Sequence, residues 1–313
     1  MSGLFLSIGG IIIDDIRLPG GKERRGILGG GITHAAMGMR IWTEKVGLVS
    51  SVGSDFDSSY LEQLEKYFNL YGLDIKPNVP TPRACQVFDP DGTRHETFQT
   101  DFDQMVELIP KPENLPAKFS TISGVHLHCP PQKVDAWVKV LRERNCPIIL
   151  WEPWDGFCLP ENQAEFFLYC TMVDIVSPNL REGRLLSGLQ DPVDILHFFQ
   201  DNGAGAVALR MAEDGSLLMD HQGDIIHIPA VPVKRIVDVT GAGNAYCGGF
   251  VVGLSETGDL QQAGWYGGVS ASCALGQFGA LYPLTRYPSE QTQRLAWYRE
   301  NASNRQSLNN FIP

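Results

Sequence analysis

The chain has 313 residues, of which 43% are hydrophobic and 19% are charged, and its formal net charge is -11. This composition is that of an ordinary globular protein and excludes a disordered or fibrous chain. The negative charge argues against broad electrostatic binding to nucleic acid or to anionic membranes, which requires clustered Lys and Arg, so a small-molecule substrate is the expected partner.

Taken in chain order, the sequence alternates between predicted strands and predicted helices. Residues 1–16 are apolar but lack a basic leader and soon reach Asp14 and Asp15, which predicts a buried first strand rather than a signal sequence. Further β-rich runs predict strands at 46–52, 123–128, 147–151, 173–177 and 206–211. Helices are predicted at 58–71, 132–145, 164–170, 180–187 and 193–202. This alternation is typical of parallel βαβ units with helices on both faces of a sheet.

The segment 83–99 departs from this alternation. Two strand-like runs flank the residues 90–93, Pro-Asp-Gly-Thr, which form a turn signal for a hairpin. We interpret the hairpin as part of a small lid.

Cysteine usage and hydropathy indicate where the protein works. The seven cysteines are scattered and include no Cys-x-x-Cys pair, which predicts reduced thiols in a cytoplasmic protein. No apolar run approaches the roughly 18 to 20 residues that a membrane-spanning helix needs, so no membrane association is expected.

The stretch 238–250, DVTGAGNAYCGGF, is the most informative part of the chain. Gly241, Ala242 and Gly243 open a predicted helix there. Small residues allow close approach to the main chain, and the first helical turn offers unpaired N–H groups and the positive end of the helix dipole. This pattern predicts a cradle for a phosphoryl group.

These residues resemble the late signature of the PfkB family of carbohydrate and nucleoside kinases. The resemblance implies a ribokinase-like α/β fold, a three-layer sandwich with a central, mostly parallel sheet and a small β lid. It also implies one domain over residues 1–313, with lid segments around 10–28 and 81–101. ATP and Mg²⁺ are the implied cofactors, and K⁺ is a further candidate.

The last position of the signature departs from the family. Asn244 stands where the family has the Asp that takes the proton from the attacking hydroxyl, and an amide cannot act as a base. Asn244 is therefore expected to orient the acceptor. An acceptor that is already deprotonated at neutral pH would need no base.

The resemblance places the acceptor near the N-terminal motifs. Asp14 follows the first strand at the spacing of the family residue that binds two sugar hydroxyls, although Asp14 or Asp15 could equally cap a solvated turn. Gly30 and Gly31 match a pair that admits substrate to the backbone, or they form a simple tight turn. His34 stands where the family has an Asn that binds the acceptor.

The resemblance also implies residues for the nucleotide and the metal. Asn179 and Glu182 match a motif that organises Mg²⁺ through water, while the same spacing also fits helix capping. Arg210 is placed to pair with a phosphate. The remaining candidates lie along the nucleotide, and they are Gly215, Thr240, Gly241, Gly243 and Ser272.

Other departures from the family pattern are His34, Ala212 and Gly268, the last in place of an Asn. His126 and His128 are interpreted as a packed or polar pair, and the aromatic cluster in 151–157 as packing. The sequence thus predicts an ATP-dependent phosphotransferase with a sugar-like or other small acceptor and altered or low activity. The alternative is a pseudokinase that binds a ligand or serves as a scaffold. A homodimer formed through the lid is a further expectation.

Overall fold

The computed structural model describes residues 3–89, 94–284 and 287–302. The strands are β1 Leu4–Ile8, β2 Ile12–Leu18, β3 Lys22–Gly29, β4 Val46–Gly53, β5 Asn69–Lys76, β6 Arg83–Phe88, β7 Arg94–Phe98, β8 Ile122–Leu127, β9 Ile149–Trp151, β10 Ile175–Val176, β11 Ala206–Arg210, β12 Ser216–Met219 and β13 Ile225–Ile228. The helices are α1 Gly31–Arg40, α2 Ser58–Glu65, α3 Phe102–Glu107, α4 Val134–Glu143, α5 Gln163–Cys170, α6 Leu180–Ser187, α7 Pro192–Asp201, α8 Ala242–Thr257, α9 Leu260–Ala274 and α10 Tyr287–Ala302.

A large sheet forms the centre of the described part of the chain. Its strand order is β13-β12-β11-β10-β9-β8-β1-β4-β5, and every pairing from β11 to β5 is parallel. Side chains alternate along a strand, so Phe5 and Leu6 of β1 belong to separate hydrophobic clusters. Phe5 shares its cluster with residues of α1, α8 and α9, and Leu6 shares the other with residues of α4, α5 and α7. Helices therefore cover both faces, and the predicted α/β fold is confirmed.

A smaller sheet has the strand order β3-β2-β6-β7. Its two hairpins are antiparallel, and they are joined by a parallel pairing in which Asp14 of β2 lies opposite Ala84 of β6. These strands come from the two segments predicted as the lid. The predicted turn at 90–93 lies outside the described residues.

The prediction of a single helix over 58–71 is wrong in its C-terminal part. Helix α2 ends at Glu65, and the chain then enters β5, which pairs in parallel with β4 at the edge of the large sheet. The side chain of Asp57 caps α2 by accepting from the Ser59 N–H at 2.7 Å. The pairing with β4 satisfies the backbone of Asn69 and the residues after it, which overrides the local helical pattern.

Helices α1 and α8 cross at two glycines. A Cβ on Gly38 would overlap the carbonyl of Ala245, and a Cβ on Gly248 would overlap the carbonyl of Ala35. The two backbones can approach this closely only because the side chains are absent at these positions. The crossing places the N-terminus of α1, at Gly31, beside the N-terminus of α8.

None of the helices within the described residues is long and apolar enough to cross a membrane.

Candidate active site

Every site residue predicted from the sequence lines one cavity of about 1840 Å³. The loops after the parallel strands β8, β9 and β10 reach it with His128, Glu152 and Asn179, and the smaller sheet contributes Gln86 and Glu96. Ligands in open α/β folds bind at this carboxyl edge of the sheet. The predicted residues that meet there are Asp14, Gly30, Gly31, His34, Asn179, Glu182, Arg210, Gly215, Thr240, Gly241, Ala242, Gly243, Asn244 and Ser272.

The N-terminus of α8 is built as an open cradle. Gly241 occupies the N-cap position in the left-handed conformation, with a φ of 74°, and no side chain caps the helix. The N–H groups of the first helical turn have no intrahelical acceptor. A Cβ on Gly241 would overlap the ring of His34, and one on Gly243 would overlap Nη1 of Arg210. These neighbours leave no room for a side chain at either glycine. The open N-terminus of the helix fits the phosphates of a nucleotide.

Asn244 is held by a carboxylate that the sequence analysis did not identify. Its Nδ2 donates to Oε2 of Glu152 at 2.9 Å. A carboxylate can only accept, so this contact fixes which end of the amide faces Glu152. Glu152 is 3% exposed and follows β9 directly. The aromatic residues around Glu152 favour packing as the interpretation of 151–157, although its place after a parallel strand is a usable signal for a site residue.

Glu152 also joins a buried polar network. Its Oε2 accepts from Nε2 of His126 at 2.7 Å, and its Oε1 lies 2.6 Å from Nη1 of Arg210. The other ring nitrogen of His126 lies 2.9 Å from Oγ of Ser7. Burial raises the pKa of Glu152, but the Arg210 charge and the His126 hydrogen bond outweigh it and hold this pKa below its ordinary value. Glu152 is therefore an ionised carboxylate whose charge is satisfied by protein donors rather than by water.

A metal is a poor fit to this network. His126, Glu152 and Cys247 offer ligand atoms within 4.8 Å of one another. However, the guanidinium of Arg210 already neutralises Glu152, and burial raises the pKa of the Cys247 thiol, which disfavours the thiolate that binds metals. The interpretation of His126 as part of a polar cluster is the more economical one.

Arg210 is held by protein groups rather than being free to follow a phosphate. Besides Glu152, it donates from Nη2 to the carbonyl of Ser177 at 2.8 Å and lies 3.8 Å from Oε2 of Glu182. Burial raises the pKa of Glu182 to about 7, although the Arg210 charge opposes this shift. Arg210 thus packs against Gly243 and supports the cradle.

Asn179 and Glu182 form a capping box at the start of α6. Oδ1 of Asn179 accepts from the Glu182 N–H at 2.9 Å, and Oε2 of Glu182 accepts from the Asn179 N–H at 2.7 Å. Both residues also line the cavity. A buried carboxylate whose pKa is raised gains from a nearby cation, so Glu182 fits a water-mediated role beside Mg²⁺.

The acceptor end of the cavity contains Asp14 and the N-terminus of α1. Asp14 is 4% exposed, and its Oδ1 accepts from Nε2 of Gln86 at 3.0 Å. Gln86 also donates to Oε1 of Glu96 at 2.5 Å. A Cβ on Gly29 would overlap Oδ2 of Asp14, and Gly30 adopts a φ of 88°. Asp14 is therefore a buried carboxylate rather than a solvated cap.

The remaining predicted residues occupy ordinary structural positions around the cavity. Gly215 has a φ of 84°, and Ala212 adopts the left-handed conformation with a φ of 52°, which explains the family's glycine there. The N–H of Thr240 donates to Asp238 at 2.8 Å. Ser272 donates to the carbonyl of Val269 at 2.6 Å.

Comparison with known proteins supports the fold described above. The chain is 28% identical to an uncharacterized protein of Schizosaccharomyces pombe, with 88% of this chain and 85% of that protein covered. It is 29% identical to a cytidine kinase of Thermococcus kodakarensis, with 82% and 90% covered. Among solved structures, it resembles a protein assigned as a ribokinase II of E. coli in complex with ATP and Mg²⁺, with a TM-score of 0.74, 17% identity and 93% and 99% covered. A model of the pfkB family carbohydrate kinases matches residues 14–286. The chain therefore belongs to the pfkB family of carbohydrate kinases.

Proposed function

We propose that this protein transfers the γ-phosphoryl group of ATP to a hydroxyl of a neutral, sugar-like small molecule such as a nucleoside, at an altered or low rate. The observation that supports this most is the meeting of the α8 cradle and the buried Asp14 at one cavity, with Gly31 beside Asn244. A phosphate donor and a hydroxyl acceptor would then face each other across the first turns of α8 and α1.

The donor side is supported by the uncapped N-terminus of α8. Backbone N–H groups and the helix dipole bind phosphates without a charged side chain. When bound, Mg²⁺ neutralises the charge that develops on the phosphates, and Asn179 and Glu182 would hold it through water. Thr240, Gly215 and Ser272 line the same cavity and would contact the rest of the nucleotide.

The acceptor side favours a neutral molecule rich in hydroxyl groups. Asp14 and Glu96 lie on either side of Gln86, so this end of the cavity is acidic. A carboxylate with two acceptor oxygens suits a vicinal diol and repels an anionic acceptor. The Thermococcus relative is a cytidine kinase, which supports a nucleoside as the acceptor.

The alternative is a pseudokinase that keeps the cradle and binds a ligand without transfer. The contact between Asn244 and Glu152 favours it, because the base position contains an amide and the nearby carboxylate has its charge satisfied. The two functions differ in turnover and not in nucleotide binding.

Two measurements test the proposal. Thermal unfolding with millimolar ATP and Mg²⁺ should show stabilisation, because a ligand that binds only the folded state stabilises it by mass action. Transfer should then be measured over nucleosides and sugars, with and without K⁺. A Gly243→Trp variant, which blocks the cradle, is the control for both. No stabilisation by ATP would reject the kinase and the ATP-binding pseudokinase together.

We further propose that the chain acts as one cytoplasmic domain, with the smaller sheet as its lid. Closure of such a lid excludes water from a reacting phosphate. Two exposed apolar side chains, Phe98 at 44% in the edge strand β7 and Phe102 at 60% in α3, favour the pairing of two copies through this sheet. Light scattering of wild type and of a Phe98→Glu, Phe102→Glu variant tests this, since only the wild type should be dimeric.

A further inference from the structure

His128 lies at the point where the acceptor and the cradle meet. It follows β8 at the carboxyl edge of the sheet and lines the cavity. Its Nδ1 comes within 2.8 Å of the position that a Cβ on Gly31 would take, and Nδ2 of Asn244 comes within 2.9 Å of the same point. Two nitrogen atoms from different elements therefore converge on one small space beside the base position.

The surroundings of His128 keep its imidazole neutral. Within the part of the chain that the structure describes, neither of its ring nitrogens has a hydrogen-bond partner. The ring lies 6.0 Å from that of Trp154 and 6.1 Å from that of His126. Burial lowers the pKa of His128 from 6.5 to about 4, with Glu152 opposing the shift and the His126 and Arg210 charges adding to it. At neutral pH the ring thus has a lone pair to offer.

We propose that His128 replaces the missing carboxylate as the general base, and accepts the proton of the acceptor hydroxyl. This inference rests on the proposed kinase function. In this arrangement Asn244 orients the hydroxyl. Its Nδ2 has two hydrogens, one of which goes to Glu152, so the other can donate to the hydroxyl oxygen. The hydroxyl proton is then left for His128.

ATP is the phosphoryl donor in the transfer step. The hydroxyl oxygen forms a bond to the γ-phosphorus, while the bond from that phosphorus to the β,γ-bridging oxygen breaks and its electron pair leaves with ADP. The hydroxyl proton moves to the imidazole of His128 and passes to solvent after the product leaves. An imidazole with a pKa near 4 has about the proton affinity of an ordinary Asp, the residue it replaces.

The neighbouring groups are less suitable as the base. Glu152 is closer to Asn244, but three donors satisfy its two oxygens and lower its pKa. His34 packs its ring against Gly241, on the side of the cradle. His128 alone among these three combines a lone pair with a place beside both Gly31 and Asn244.

The test compares His128→Gln, which keeps a polar side chain of similar size, with His221→Gln at an exposed histidine. Phosphoryl transfer over the panel of nucleosides and sugars is measured beside stabilisation by ATP. We expect His128→Gln to lose roughly 10² to 10⁴-fold in kcat, the usual contribution of a general base, with ATP binding unchanged. His221→Gln should match the wild type.

A third variant separates base catalysis from structure. Asn244→Asp with Glu152→Gln moves the carboxylate to the family position, and in the His128→Gln background it should restore transfer. A His128→Gln kcat within threefold of wild type would overturn the proposal. Transfer seen only in variants with Asp at 244, or in no variant although ATP binds, would overturn it as well. If ATP does not bind, the proposed function itself fails.

Discussion

At the scale of single residues, the amide of Asn244 and the carboxylate of Glu152 depend on each other. With an Asp at position 244, two carboxylates would stand where Nδ2 and Oε2 are now 2.9 Å apart. Like charges at this distance in a buried site repel strongly. An amide at position 244 therefore suits an ionised Glu152 better than a second carboxylate would.

This pairing predicts that Asn244→Asp alone destabilises the protein at pH 7. The loss of the hydrogen bond and the new repulsion should cost about 2 kcal/mol or more in the free energy of unfolding. Denaturant unfolding measures it. Adding Glu152→Gln should recover most of the loss, because an amide then faces the carboxylate again. Equal stability of Asn244→Asp and wild type would refute the pairing.

Glu182 predicts a specific dependence of stability on pH. Its pKa is raised from 4.5 to about 7 in the folded protein, so the folded state holds this proton more tightly than the unfolded chain. The contribution of Glu182 is therefore full below about pH 4.5 and is lost as the pH rises to about 7, by roughly 3 kcal/mol.

Glu182→Gln removes this titration and keeps a side chain that can complete the capping box. The free energies of unfolding of variant and wild type are measured at several pH values. Between about pH 4.5 and 7, the variant should become increasingly more stable than the wild type. His128 titrates in the opposite sense in both proteins, so its effect cancels. A difference that does not change with pH would show that folding does not raise the pKa of Glu182.

The sequence identified the glycine-rich residues and the capping pair, because short motifs record local backbone requirements. Asn179 and Glu182 cap a helix three residues apart, and Gly241 has the positive φ of its N-cap position. Glu152 and His128 are not predicted as site residues, because their roles come from contacts across the sheet. Glu152 meets Asn244 over a separation of 92 residues, and no short motif records such a contact.

At the scale of elements, the turn after β11 contains a residue with an unfavourable backbone conformation. Ala212 has a φ of 52°, in the left-handed region that favours glycine. We predict that Ala212→Gly stabilises the protein by about 0.5 to 1 kcal/mol, since the relief of strain exceeds the added entropy of the unfolded chain. Thermal unfolding measures this change.

Ala206→Gly is the matched control. Ala206 lies in β11 and is not among the described residues with positive φ. Glycine there should destabilise by a similar amount. If both variants lose stability, Ala212 is not strained.

Element boundaries were less predictable than element types. The parallel strands were identified because short β-rich runs alternate with longer helical patterns. The helix predicted over 58–71 continued too far, since β5 is defined by its pairing with β4, which lies earlier in the chain. An edge strand with one buried residue in its eight shows little period-two alternation.

At the scale of the whole molecule, the crossing of α1 and α8 joins the two halves of the site. We predict that Gly248→Ala destabilises the protein by about 1 to 3 kcal/mol, because the new methyl group overlaps the Ala35 carbonyl. The added group should also separate the cradle from Gly31 and weaken ATP binding. Denaturant unfolding and thermal shifts with ATP measure the two effects.

Gly156→Ala serves as the control for this variant, because a Cβ at Gly156 meets no atom within 4 Å. Its free energy of unfolding should stay within about 0.5 kcal/mol of wild type. A Gly248→Ala protein as stable as this control would mean that the helices can separate without cost.

The class of the fold followed from the alternation of elements, but the parallel pairing of β2 with β6 did not. That pairing joins strands about 70 residues apart, Asp14 lying opposite Ala84, and it brings Gln86 to Asp14. Contacts of this kind depend on the assembled molecule, so the acidic acceptor end of the cavity became visible only in the structure.

The decisive measurement of the proposed function is phosphoryl transfer from ATP to neutral nucleosides and sugars. Wild type and Gly243→Trp would be compared with Mg²⁺ present. We expect a phosphorylated product at a neutral hydroxyl in the wild type and none in the blocked variant. Transfer only to anionic acceptors, or equal ATP consumption by the two proteins, would contradict it.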